Sequence, residues 1–116
     1  MDVIAKAARA LSKISERGIE VSQEWYSDNL KLPHVALTFI DETPLSHSED
    51  EEEITEYTIQ VSVFSTKDER ELLKEIKKAL KNDGFLFSER MQDDIDTKQK
   101  RFMQAMRFNA YEETEE

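Results

Sequence analysis

The apolar positions of the chain switch between two periods, and the switches divide it into elements. In residues 2–17, Val3, Ile4, Ala7, Ala8, Leu11 and Ile14 recur at helical spacing while Lys6, Arg9, Lys13 and Glu16 fall mostly elsewhere, which predicts an amphipathic helix. Gly18 stands where a left-handed helix end belongs, and Arg17 in the last turn suits the dipole. The period then becomes two: Ile19, Val21, Gln23 and Trp25 alternate with Glu20, Ser22 and Glu24, which predicts a strand. Ser27-Asp28-Asn29 signals a turn, and Pro33 opens the next strand, where its missing N–H costs no ladder bond.

Residues 34–40 form that strand, with Val35, Leu37 and Phe39 on one face. Residues 41–53, acidic and carrying Pro44, read as a connection. Residues 54–64 give the clearest alternation in the chain: Tyr57, Ile59, Val61 and Val63 on one face, Glu56, Thr58, Gln60 and Ser62 on the other. The two strands share an apolar face and are expected to form a long antiparallel hairpin.

A second helix follows. Thr66 and Glu69 match a capping box, Leu72, Leu73, Ile76, Ala79 and Leu80 form its apolar stripe, and Asn82-Asp83-Gly84 ends it. Phe85-Leu86-Phe87 fits a short strand, residues 91–99 read as a polar loop, and residues 101–111 form a last strand with Phe102, Met106, Phe108 and Ala110 on one face. The expected fold is α+β, in the order α-β-β-β-α-β-β. An antiparallel sheet of four to five strands carries two helices on one face. Trp25, Leu37, Phe39, Ile59, Val61, Leu73, Ile76, Phe102, Met106 and Phe108 are expected to share its core. Residues 1–111 make one domain and 112–116 an acidic disordered tail; residues 43–53 and 91–99 are expected to be mobile.

Composition narrows the function classes. The 116 residues suit one core, and the absence of Cys excludes disulfides, thiolate zinc sites and cysteine nucleophiles. A formal net charge of −10 disfavours bare nucleic acid and anionic membranes and favours a basic partner surface. Lys6, Arg9 and Lys13 interrupt the first apolar stretch, so it reads neither as a signal peptide nor as a membrane span, and a cytoplasmic setting is expected.

The candidate chemistry is thin. His34, at a strand start, reads as a half-exposed strand residue rather than a general base. His47 with Glu49, Asp50, Glu51, Glu52 and Glu53 has the residue types for a cation but lacks the turn glycine of a calcium loop, so it reads as a charged hairpin tip. Asp93-Asp94-Ile95-Asp96 lacks the Gly and distal Glu of an EF-hand and reads as an acidic loop. Gly18 and Gly84 stand alone, too isolated for a phosphate loop. No nucleophile-elbow pattern exists. A binding or structural module that is not an enzyme and needs no cofactor is the expectation.

The layout itself has a resemblance. Glu24-Trp25-Tyr26, then Leu32-Pro33-His34-Val35-Ala36-Leu37-Thr38-Phe39, then residues 56–64, a helix ending in Asn82-Asp83-Gly84-Phe85, and a closing run over residues 101–108 resemble the small tail-completion proteins of long-tailed bacteriophages and prophages. These are the tail terminator, or tail-to-head joining, type. The resemblance spans residues 2–111 and is one of order and pattern. It implies an α+β structural protein of the virion tail, made in the bacterial cytoplasm and monomeric when free. It implies a hexameric ring that caps the tail tube, with the tube protein and the head–tail connector or stopper as partners. The alternatives are a neck adaptor, stopper or minor tail component; an acidic DNA mimic that inhibits a nuclease; and, last, a small enzyme with a cation site at residues 49–53. No membrane contact and no sequence-specific nucleic-acid binding are expected.

A ring needs two different patches per subunit. The candidates are a polar strand face of Thr58, Gln60 and Ser62, with Thr38 and Ile40, and the basic half of the second helix, Lys74, Lys77, Lys78 and Lys81. The acidic run Glu49 to Glu53 of a neighbour is the expected counterpart of these lysines.

Overall fold

The computed structural model describes residues 1–23, 31–46 and 52–115. Helix α1 (Val3–Ala10) and helix α2 (Ser12–Glu16) precede strand β1 (Glu20–Ser22). Strands β2 (His34–Ser46) and β3 (Glu52–Ser65) lead to helix α3 (Arg70–Asn82). Strands β4 (Leu86–Arg90), β5 (Asp94–Asp96) and β6 (Arg101–Glu115) complete the chain. The protein is α+β, but among the described residues the sheet is mixed and six-stranded and there are three helices. The sheet order is β1-β2-β3-β6-β4, with β5 also paired to β6.

The departures from the expected order have local causes. The expected first helix breaks at Leu11, whose φ of −96° and ψ of 14° leave the helical range. Its N–H is shared between the carbonyls of Ala7 and Ala8. The break keeps Ala7, Leu11 and Ile14 all buried. Strand β1 pairs with β2 in parallel, Glu20 opposite His34 and Ser22 opposite Ala36. Trp25 lies outside the described residues.

The acidic connection contains strand. Residues 41–46 continue β2 beyond the end of β1 and pair with residues 53–58, Leu45 opposite Ile54. Pro44 fits there because that stretch of β2 is an edge, where a missing donor leaves the ladder intact. A bulge at Ile40 separates the Phe39–Ile59 pair from the Asp41–Thr58 pair. The Asp41 carboxylate closes the bulge by accepting from the Glu42 N–H at 2.9 Å and the Thr43 hydroxyl at 3.0 Å. Strand β6 pairs with β3 as far as Glu115, so residues 112–115 are strand and not a tail. In the expected 91–99 loop, Ile95 pairs with Phe102 as part of β5. The Asp96 carboxylate then accepts from the N–H groups of Lys98 and Gln99, turning the chain toward β6.

Both helical segments bury their stripes on one face of the sheet. Val3, Ile4, Ala7, Leu11 and Ile14 meet Leu72, Leu73, Ile76 and Leu80 over Val35, Leu37, Tyr57, Ile59, Val61, Val63, Met106 and Phe108. Of the ten expected core residues, seven lie in this cluster: Leu37, Ile59, Val61, Leu73, Ile76, Met106 and Phe108. Phe39 keeps the core-face register opposite Ile59, yet it is 48% exposed and lies outside the cluster. Phe102 is only partly buried, at the far end of the sheet beside β5.

Both ends of α3 differ from simple capping. The helix starts at Arg70 with Glu69 as its cap residue, and no side chain of its own segment caps it, so the Thr66–Glu69 capping box does not form. Gln104 of β6 supplies the cap: its Oε1 accepts from the Glu69 N–H at 2.7 Å, and its Nε2 donates to the Asp68 carboxylate at 2.9 Å. At the other end Gly84 (φ 94°) donates to the Lys81 carbonyl and Phe85 to the Leu80 carbonyl, the paired bonds of a Schellman stop. Phe85 is then fully buried.

Candidate functional site

The sheet outgrows its helices. The molecule measures 56 × 27 × 23 Å, and the core ends at Tyr57 and Ala110. Beyond that level the described residues form three strands, residues 41–46 of β2, 52–57 of β3 and 110–115 of β6. In sequence, residues 41–57 and 110–116 hold twelve of the 26 acidic residues and none of the 16 Lys and Arg. The remainder has sixteen cations against fourteen acids. The described strands of the arm carry eight of these acids and no Lys or Arg.

The arm's tyrosines register the field. The Tyr57 hydroxyl donates to Glu112 at 3.3 Å, and Glu112 also meets the N-terminal ammonium at 3.4 Å, which ties the start of α1 to the arm's root. Burial, then the nearby Glu112 and Glu42 charges, push the Tyr57 phenol up from its ordinary range. Tyr111 donates to Glu56 at 2.6 Å; that bond first, and then burial, raise it too.

At the other end of β6 a groove of about 360 Å³ lies between α3 and β4. Leu73, Phe87 and Met106 supply apolar lining, and Arg70, Lys74, Lys77 and Arg90 supply four cations against the single carboxylate of Asp68. Lys77 Nζ stands 3.9 Å from the centre of the Phe87 ring, a cation–π contact, and Phe87 packs edge-on to Phe108 at 5.8 Å. Arg90 is fixed by Asp93 at 2.8 Å and by the carbonyls of Met91 and Ala105. Arg70 holds Asp68 at 3.2 Å. The Gln104 hydrogen bond, followed by the Arg70 charge against a partial desolvation cost, keeps the Asp68 carboxyl below its usual range. All five residues of β4, which borders the groove, are exposed.

The candidate residues named from sequence divide between these places. Lys74 and Lys77 line the groove. Lys78 faces the opposite flank of α3, beside Lys13 and Glu75, so the four lysines do not form one patch. Lys81 is exposed in the last turn. Glu52 and Glu53 lie in the arm, and Glu49, Asp50, Glu51 and His47 fall outside the described residues. Thr58, Gln60 and Ser62 do face away from the helices, but Gln60 and Ser62 are buried and do not form an open polar surface. Ser62 sits in a row of small residues between Ala36 and Ala105. Gln60 bonds Ser62 and accepts from Arg107, and Thr58 donates to Asn109. Arg70 and Arg90 were not among the sequence candidates; their signal was their register, since they flank Lys74, Lys77 and Phe87 only once β4 is laid beside α3.

His34 is fully buried, contrary to the half-exposed reading. Its Nε2 lies 3.1 Å from the Ser22 hydroxyl, and its Nδ1 lies 3.8 Å from the Glu20 carboxylate, both on β1. The ring thus joins the parallel strand to the sheet. Among the described residues no cluster of His, Asp and Glu is arranged to hold a metal ion, and no helix is long and apolar enough to cross a membrane. No protein-family model matches the chain, and no curated protein matches it.

Proposed function

We propose that this chain is a non-enzymatic structural protein of a phage virion, a tail terminator that caps the tail tube and joins it to the head connector by assembling into a ring. The observation that carries the reading is the division of charge along the long axis: an acidic three-stranded arm at one end and a basic groove near the other. A subunit with two unlike ends suits a head-to-tail contact, which closes into a ring when the rotation permits. The order of a helical segment, a long hairpin, a helix and a long closing strand supports the same resemblance. A DNA-mimic inhibitor is less well supported, because its acids would follow a whole face, whereas the body here carries slightly more cations than acids. The reading is tested by adding the protein to growing tail tubes of its own phage. Elongation followed by light scattering should stop at a fixed length, and unchanged growth at saturating protein would refute it.

A further inference from the structure

We propose that the groove between α3 and β4 receives the acidic arm of a second copy of this chain. The inference deepens the ring-assembly reading by naming the partner of the groove, and it rests on that reading for its biological setting. Three observations carry it. The groove gathers Arg70, Lys74, Lys77 and Arg90 in a chain whose net charge is −10, and Asp68, Glu71 and Asp93 pair Arg70, Lys74 and Arg90 from its rim. Lys77, over the Phe87 ring, has no carboxylate partner among the described residues. The arm carries Glu42, Glu56, Glu112 and Glu113 with no Lys or Arg among its described residues.

The arm of a molecule cannot reach that molecule's own groove. Met106 lines the groove and Glu115 ends the arm, and both belong to the continuous strand β6. Nine residues of strand at about 3.3 Å each hold these two roughly 30 Å apart, and Glu112, six residues from Met106, is still roughly 20 Å away. An ion pair between the two regions is therefore intermolecular, and because the regions differ, it is heterologous. Phe87, exposed on the groove wall, offers apolar contact beside the charges, matching Tyr111 and Leu45, which the arm exposes. Arg90 and Arg70 are held by Asp93 and Asp68, so the cationic rim is pre-set before a partner arrives.

Zero-length carbodiimide coupling of a one-to-one mixture of isotopically heavy and light protein tests this without tail tubes. Mass spectrometry should find heavy–light links from Lys74 or Lys77 to arm carboxylates. They should fall at least tenfold in about 1 M salt, where the Debye length is about 3 Å. Lys74→Glu with Lys77→Glu should abolish them, Lys78→Glu should leave them unchanged, and mixing the double variant with Glu112→Lys, Glu113→Lys protein should restore links between the exchanged positions. All substituted positions are at least partly exposed, and circular dichroism checks that each variant folds. Absence of heavy–light links, or arm links spread equally to Lys13, Lys78 and Lys98, overturns the proposal. Such a failure would not touch tube capping, which is read on tubes, and a failure to cap would not alter the links.

Discussion

Gln104 is the polar side chain on which the start of α3 depends. Replacing it by Met keeps a long side chain of similar volume at a position only 2% exposed, but removes both hydrogen bonds. The Glu69 N–H then loses its acceptor at 2.7 Å. Loss of a helix N-cap costs about 1 kcal/mol, within a range of about 0.5–2. For a chain of this length that corresponds to a melting temperature lower by about 4 °C. Urea denaturation should show a lower midpoint at an unchanged slope. The pH dependence supplies a second, independent signature. Asp68 has a depressed carboxyl chiefly because Gln104 donates to it. A depressed carboxyl stabilises the fold above its unfolded pKa of about 3.9, and that contribution is lost as pH falls through the folded value. The gap between parent and Gln104→Met should therefore be widest near neutral pH and should narrow below about pH 4. A midpoint change equivalent to less than about 0.3 kcal/mol, or a gap that stays constant into acid, would refute the capping argument.

Ile59 is fully buried at the centre of the sheet between β2 and β6, so Ile59→Ala should cost about 2–5 kcal/mol, measured by the same denaturation; a cost below about 1 would show that the core closes without it. Tyr57 and Tyr111 have raised phenols, so the fold favours their neutral forms: that stability is intact below the ordinary phenol pKa of about 10 and lost as pH rises through the folded values. Phenolate absorbance should place both above ordinary tyrosine, and Tyr57→Phe with Tyr111→Phe should flatten the alkaline limb of stability; ordinary titration of both would contradict the arm's electrostatics.

The chain's two periodicities made much of the fold legible. Val35, Leu37, Tyr57, Ile59, Val61 and Val63 alternate so clearly that the β2–β3 hairpin and its buried face could be read directly, and Leu72, Leu73, Ile76 and Leu80 did the same for α3. The stretches that misled are those where tertiary pairing overrides local preference. Residues 41–46 have a composition that argues against strand, yet β3 offers them a ladder. Asp94-Ile95-Asp96 looks like a loop until Phe102 lies opposite Ile95. The cap of α3 was misassigned because a local Thr66–Glu69 motif competes with a glutamine 35 residues downstream of Glu69, and sequence spacing carries no trace of that bond. At the candidate site the acidity of residues 49–53 was evident, but the arm became visible only when residues 41–46 and 112–115 proved to be strand. The groove needed β4 beside α3 to join Arg70 and Arg90 to Lys74 and Lys77 while separating Lys78.

Capping of tail tubes is the central claim, and negative-stain microscopy of purified tubes mixed with this protein tests it most directly. The account predicts a ring at one end of each tube and none along the shaft. Tubes whose ends look the same with and without saturating protein would contradict it.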